Sequence, residues 1–232
     1  MNLFVLTGAG LSAESGVATF RDANGLWENH DIMDVATPEG FARDPALVHR
    51  FYDARRAQLA EVAPNAAHLA LARLQREVRE GNRGRVTIVT QNVDDLHERA
   101  GADVLHMHGE LLRARCTAHA HVHRRRGALA GATCPDCGSA LRPDIVWFGE
   151  MPMHLERIDT ALADADLFAA VGTSGEVYPA AGYADAARAA GIRTVEINLA
   201  PSAPERFDEV RVGPATREVV RWVDELLGGA SR

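Results

Sequence analysis

The chain has few cysteines, three in 232 residues, an odd count too small for a disulfide framework and better suited to a reducing compartment. No apolar run approaches the length of a bilayer span. The first apolar stretch, Leu3 to Leu6, lacks a basic leader and meets Gly8 at once, so neither a membrane segment nor a signal peptide is expected. Positive charge is also scarce: 25 Lys and Arg against 32 Asp and Glu leave a formal charge of −7, which argues against a general binder of nucleic acid or membrane surface. The one dense basic run, His123-Arg124-Arg125-Arg126, reads as a solvated loop. Internal repeats and low-complexity tracts are missing too. With 47% hydrophobic and 25% charged residues, what remains is an ordinary globular composition, expected to act in the cytoplasm as a monomer.

Short apolar runs recur at Leu3 to Leu6, Val86 to Val89, Ile145 to Phe148, Leu167 to Val171 and Thr194 to Ile197. Helical patterns lie between several of them: one opening at Pro64-Asn65 and running to about Val78, one over Ala180 to Ala190, and one over Thr216 to Leu227. Strands alternating with helices predict an α/β fold with a doubly wound, Rossmann-like parallel sheet. Two stretches break the alternation, a helical and loop-like 28–63 and a Cys-, His-, Arg- and Gly-rich 113–142. The expected division is a Rossmann-like domain over 1–30, 64–112 and 143–232, with 31–63 and 113–142 building a smaller helical and zinc-binding domain.

Four apolar runs end in small or polar groups: Thr7-Gly8-Ala9-Gly10, Thr90-Gln91-Asn92, Gly172-Thr173-Ser174 and Asn198. In open α/β sheets ligands bind beyond the carboxyl ends of the strands, so four such ends predict a shared cleft. At the first, glycines in a strand-to-helix turn let backbone amides approach a phosphate. The third glycine comes only at Gly16, so the G-x-G-x-x-G dinucleotide fingerprint is incomplete and a hydride-transferring dehydrogenase is disfavoured.

Cys134-Pro135-Asp136-Cys137 is a C-x-x-C with the spacing of a zinc knuckle, and Cys116-Thr117-Ala118-His119 lies upstream. Cys116, His119, Cys134 and Cys137 could make a closed, structural Cys₃His zinc site. His121 or His123 could stand in place of His119, and spacing does not choose among them.

Thr90-Gln91-Asn92-Val93-Asp94-Asp95-Leu96-His97 and His106-Met107-His108-Gly109-Glu110 carry a resemblance. Taken with Gly8 to Arg21, the cysteine module, Gly172-Thr173-Ser174 and Glu196-Ile197-Asn198, the chain resembles the sirtuins, NAD-dependent protein-lysine deacylases, from residue 3 to about 215. The resemblance implies NAD as co-substrate, one structural zinc ion and acylated proteins as partners, with neither nucleic acid nor membrane. It implies that Gly8, Ala9, Gly10, Ser12, Glu14 and Ser15 line the diphosphate and adenosine-ribose side, and that Phe20, Arg21 and Trp27 belong to a cofactor loop. Gln91, Asn92, Val93 and Asp94 are then expected around the nicotinamide and its ribose, and Gly172, Thr173, Ser174, Asn198, Leu199 and Ala215 at the adenosine end. Val146, Phe148 and Gly149 resemble the segment that pairs with substrate backbone. His108 is the implied general base, Asn92 shares the catalytic centre, and the products are nicotinamide, O-acyl-ADP-ribose and free lysine. His106 rivals His108 on spacing alone, but the second histidine of HxHG matches the family's base.

Tyr52 and Arg55 are three residues apart in a predicted helix and so share a face. A guanidinium beside a phenol hydroxyl can grip a carboxylate. This Y-x-x-R, with Ala36 as the small residue of the acyl pocket, resembles sirtuins that remove succinyl and malonyl groups, so both deacetylation and desuccinylation are expected. The competing expectations are a non-catalytic NAD or ADP-ribose sensor and a mono-ADP-ribosyltransferase.

Overall fold

The computed structural model describes residues 1–18, 26–27, 30–175, 177–201 and 203–228, with backbone alone for 26–27. The strands in chain order are β1 (Asn2–Thr7), β2 (Leu26–Trp27), β3 (His30–Asp31), β4 (Arg85–Thr90), β5 (Val104–His106), β6 (Gly109–Cys116), β7 (Val122–Arg124), β8 (Leu141–Ile145), β9 (Leu167–Val171), β10 (Arg193–Asn198) and β11 (Glu209–Val212). The helices are α1 (Ala9–Ala13), α2 (Ile32–Val35), α3 (Pro38–Arg43), α4 (Pro45–Leu59), α5 (Ala66–Glu80), α6 (Leu96–Arg99), α7 (Leu155–Ala163), α8 (Tyr183–Ala189) and α9 (Ala215–Gly228).

Six strands form one parallel sheet in the order β11-β10-β9-β1-β4-β5. Both faces are covered, which is why its strands read as continuous apolar runs. On one face Leu3, Val5, Ile88, Val171 and Ile197 pack with Leu71 and Leu74 of α5 and Val219 and Trp222 of α9. On the other, Phe4, Leu6 and Phe168 pack with Ile158 of α7 and Ala184 and Ala187 of α8. Asn65 caps α5, its side chain accepting from the Ala67 and His68 amides while the His68 ring accepts from the Asn65 amide. The helix therefore starts just after Pro64, as the pattern predicts. From β1 the chain steps one way to β4 and β5 and later the other way through β9, β10 and β11, so the order reverses at β1/β9. The register aligns Thr7 with both Thr90 and Val171, and Val171 with Ile197, so the strand ends lie side by side.

The run at 145–148 behaves differently from the prediction. Only Ile145 is in a strand, the end of β8, which pairs antiparallel with β6 in a separate three-stranded sheet, β7-β6-β8. Beyond it the Trp147 amide donates to the Glu150 carboxylate, and the chain turns at Gly149 with φ +88°. Helix α4 packs against this sheet through Val48, Phe51 and Tyr52, which meet Leu111, Ile145 and Trp147. At its far end, among the described residues, Ala114, Cys116, Leu129, Cys134 and Leu141 form a small buried cluster. Among the described residues no helix is long and apolar enough to cross a membrane.

Candidate functional site

At the reversal point the turns after β1 and β9 interlock. The Gly8 amide donates to the Val171 carbonyl at 3.0 Å and the Gly10 amide to the Gly172 carbonyl at 2.8 Å. A Cβ at Gly8 would lie 2.8 Å from the Gly172 carbonyl oxygen, and one at Gly10 would lie 2.9 Å from the Gly172 Cα. Gly172 itself sits at φ +59°, where a side chain would also be strained. The glycines serve close approach of backbone to backbone, and two of the amides expected to meet phosphate are already used within the chain.

A polar network ties these turns to the next strand end. The Asn92 side-chain amide donates to the Gly8 carbonyl at 3.1 Å and to Ser12 Oγ at 3.0 Å. The Gln91 side chain donates to Thr173 Oγ1 at 2.9 Å, and Asn198 donates to the Thr173 carbonyl at 3.0 Å. Burial pushes the Asp94 carboxyl up, opposed by hydrogen bonds from the Leu96 amide and Ser12. Behind Ser12 the rings of His68 and His97 meet edge to face, both kept neutral by burial.

One cavity of about 1160 Å³ joins the strand ends to helix α4 and the segment after β8. Its walls include Gly8, Ala9, Gly10, Ser12, Gln91, Asn92, Val93, Asp94, His108, Gly172, Thr173, Ser174 and Asn198, together with Ala36, Tyr52, Arg55, Val146, Phe148 and Gly149. Four expected residues lie off it. Leu199 is 71% exposed, and Ala215 is buried in the core at the start of α9. The Glu14 carboxylate accepts from the Thr216 amide at 3.2 Å, and Ser15 accepts from the Asn65 side chain at 3.0 Å. Phe20 and Arg21 fall outside the described residues, as does the Trp27 side chain. Trp147, Ile32, Gln58, Leu111 and Tyr178 stand on the same wall, beyond the residues expected from sequence. Trp147 was within reach, since it stands between Val146 and Phe148; the others carry no local motif.

The His108 ring nitrogen Nδ1 lies 3.2 Å from the Gln91 carbonyl. A carbonyl only accepts, so Nδ1 carries the proton and Nε2 keeps its lone pair. Burial lowers the His108 pKa, which keeps that lone pair available at neutral pH. Elsewhere on the cavity wall Trp147 Nε1 donates to the Tyr52 hydroxyl at 3.0 Å, and Arg55 Nη1 donates to the Phe51 carbonyl at 2.7 Å. The Arg55 guanidinium stacks 3.7 Å over the Phe51 ring. Burial lowers its pKa to about 10, so it remains a cation at neutral pH. Arg142 holds the segment after β8 in shape by gripping both Glu150 oxygens at 2.7 Å and lying 3.6 Å over the Trp147 ring.

The cysteine cluster gathers Cys116, His121, Cys134 and Cys137, with ligand atoms within 4.8 Å of one another. His119, the first choice for the fourth position, is exposed and outside this group, and His121 takes its place. The reason is the turn after β6, where the Cys116 amide donates to the His121 carbonyl at 2.9 Å and folds residue 121 back over the thiols. His123 also approaches Cys134 Sγ, at 3.5 Å, and falls in a second group with Cys134 and Asp136. The Asp136 carboxylate lies near both rings, 3.5 Å from His121 Nδ1 and 3.3 Å from His123 Nε2. Cys116 Sγ lies 3.5 Å from Cys137 Sγ, and Cys134 Sγ lies 3.4 Å from His121 Nδ1. Bonds of about 2.3 Å to a tetrahedral zinc separate two sulfurs by roughly 3.8 Å, so the group fits that ion. Hydrogen bonds from Ser139 hold the Cys137 thiol below its ordinary value, which favours the thiolate a metal needs.

The Sir2 family model matches residues 8–179. The chain is 54% identical to an NAD-dependent protein deacylase of Vibrio parahaemolyticus, over 97% of this chain and 95% of that protein. It superposes with a TM-score of 0.85 on the crystal structure of a Sir2 homolog–NAD complex at 38% identity, covering 97% and 90% of the two chains. Against a Sir2 structure bound to acetylated peptide the TM-score is 0.81 at 26% identity, covering 99% and 94%.

Proposed function

This chain belongs to the Sir2 family, and on that premise we propose that it is an NAD-dependent protein-lysine deacylase that removes both acetyl and succinyl groups. The observation that carries the reading is one cavity lined together by His108, the strand-end residues and the Tyr52–Arg55 pair. The similarity to an NAD-dependent protein deacylase and to an NAD complex supports it.

NAD, when bound, supplies an electrophilic ribose carbon whose nicotinamide leaves and whose hydroxyls accept the acyl group. The chain supplies the rest. Asn92 is pinned by Gly8 and Ser12, and Asp94 is buried beside it, so both are set before a ligand arrives. His108, its Nδ1 proton anchored on the Gln91 carbonyl, takes a proton at Nε2. Ser12, Gln91, Thr173 and Asn198 shape the cofactor side. The zinc module, with Cys116, His121, Cys134 and Cys137 as ligands, holds β6 and β8 and takes no part in the chemistry. The smaller domain is read as 31–63 with 113–142.

At the acyl end Arg55 and Tyr52 line the same cavity, and a guanidinium beside a phenol hydroxyl can grip a succinyl carboxylate. The acylated peptide lies along Val146 to Gly149. The Val146 amide donates to the His108 carbonyl and the Phe148 amide to the Ala36 carbonyl, both at 2.9 Å, so peptide pairing there draws on the carbonyl side. Mass-spectrometric turnover of one peptide, acetylated or succinylated at the same lysine, with and without NAD, tests the whole reading. The expected result is NAD-dependent loss of both groups, with desuccinylation reduced at least tenfold in Arg55→Met and deacetylation within a few-fold. Equal loss of both activities in that variant would remove the carboxylate role and keep the deacylase.

A further inference from the structure

The His-Met-His run places three donors on three successive carbonyls. The Met107 amide donates to the Thr90 carbonyl at 3.0 Å, the His108 ring lies 3.2 Å from the Gln91 carbonyl, and the His106 ring lies 2.9 Å from the Asn92 carbonyl. The two histidines differ at the far nitrogen. His108 Nε2 keeps its lone pair on the cavity side, whereas His106 Nε2 meets the Glu98 carboxylate at 2.6 Å. Burial opposes the charge on Glu98, but the hydrogen bond from His106 outweighs it and lowers the Glu98 pKa, so Glu98 is a carboxylate. His106 then faces an acceptor at each nitrogen and satisfies both by carrying two protons. His106 is buried, its side chain 6% exposed, so water does not replace either partner at the ring.

We propose that His106 is a positioning residue, an imidazolium clamped between the Asn92 carbonyl and Glu98, that fixes the 91–92 backbone on which Asn92 and His108 are set. Its loss of charge then supplies the alkaline limit of the reaction. The proposal rests on the deacylase reading.

The groups around the ring come from every neighbouring element. Glu98 and His97 lie on α6, Asp94 in the turn before it, Glu110 on β6, and His154 ahead of α7. Burial disfavours the charge on His106, but the Glu98 carboxylate, the Asn92 carbonyl and Glu110 together outweigh it and raise the His106 pKa, while His97 stays neutral. The same three groups, Glu98, His106 and Glu110, have the residue types of a cation site. The nitrogen-to-oxygen distance of 2.6 Å is shorter than the edge of about 3 Å between ligands sharing a metal, so a proton bridges them.

The charged state is lost as pH rises through the folded-state value, so its effect lies on the alkaline side, opposite to the acid limb set by His108. Two measurements on the full chain test the assignment. Nitrogen NMR of the native protein at pH 7.5 is expected to show both His106 nitrogens protonated. In Glu98→Gln the alkaline limb of kcat/KM is expected to move down by about one pH unit, with the acid limb unmoved. A neutral His106 at pH 7.5 would overturn the proposal, as would an alkaline limb that stays in place in Glu98→Gln. The native spectrum decides the charge whether or not the variant folds. Absence of any NAD-dependent turnover would sink the deacylase reading. The pH dependence of NAD affinity in native protein and Glu98→Gln would then judge His106 by the same criterion.

Discussion

The strand-end site and the cysteine module are built in opposite ways. At the strand ends the parallel sheet comes first: two large clusters of buried side chains cover its faces, and the turns that carry Gly8, Asn92 and Gly172 are held by backbone and amide hydrogen bonds. In the cysteine module the buried cluster holds, among the described residues, five side chains, two of them cysteines that also reach the candidate metal. One site is a consequence of its fold; the other is a cause of its own.

Metal removal presses hardest on that difference. Structural zinc contributes on the order of 10 kcal/mol to such small modules. Chelation of the native protein, or Cys134→Ser, is expected to abolish hydrogen-exchange protection in β6, β7 and β8 while β1, β4 and β9 keep theirs. By zinc analysis His121→Ala should lose the ion and His119→Ala should keep it; the reverse would return His119 to the ligand set. Next in size is the base. His108→Ala is expected to lower deacylation by about 10²–10⁴-fold, roughly 3–5 kcal/mol, with NAD affinity by calorimetry within a few-fold of native. Undiminished turnover would move the base elsewhere.

The smallest effect is on acid stability. Burial pushes His68 down to about 4. The unfolded chain takes up this proton below about 6.5, the folded chain not until about 4, so stability falls as pH drops through that window. The His68 contribution amounts to about 3 kcal/mol by its lower end, and His97 adds loss in the same direction. Urea unfolding at pH 7 and 4.5 measures it, and His68→Gln should flatten the slope.

Much of the sheet was legible because a strand covered on both faces is apolar along its whole length, as Leu167 to Val171 is. Strands β6 and β7 were not. Their runs, such as Gly109 to Cys116, mix arginine and cysteine with apolar residues, since one side faces solvent and the core is slight. The run at 145–148 misled for a related reason: Trp147 is buried against Tyr52 and α4 rather than in the sheet. Motifs located the site residues that are close in sequence, such as Gln91 to Asp94. Gln58 and Tyr178 reach the same cavity only through tertiary placement. His119 and His121 differ by two residues, and the turn after β6 gathers His121 with the three cysteines, which no spacing rule contains.

The contact of Gly8 and Gly10 with Gly172 has a consequence for descent with modification. The first turn and the third strand end are separated by some 160 residues of chain, yet neither tolerates a methyl group without movement of the other. A recombination joining the first half of one relative to the second half of another would have to bring matching turns from both parents. The seam between β1 and β9 is therefore a place where chimaeras of this fold would be constrained.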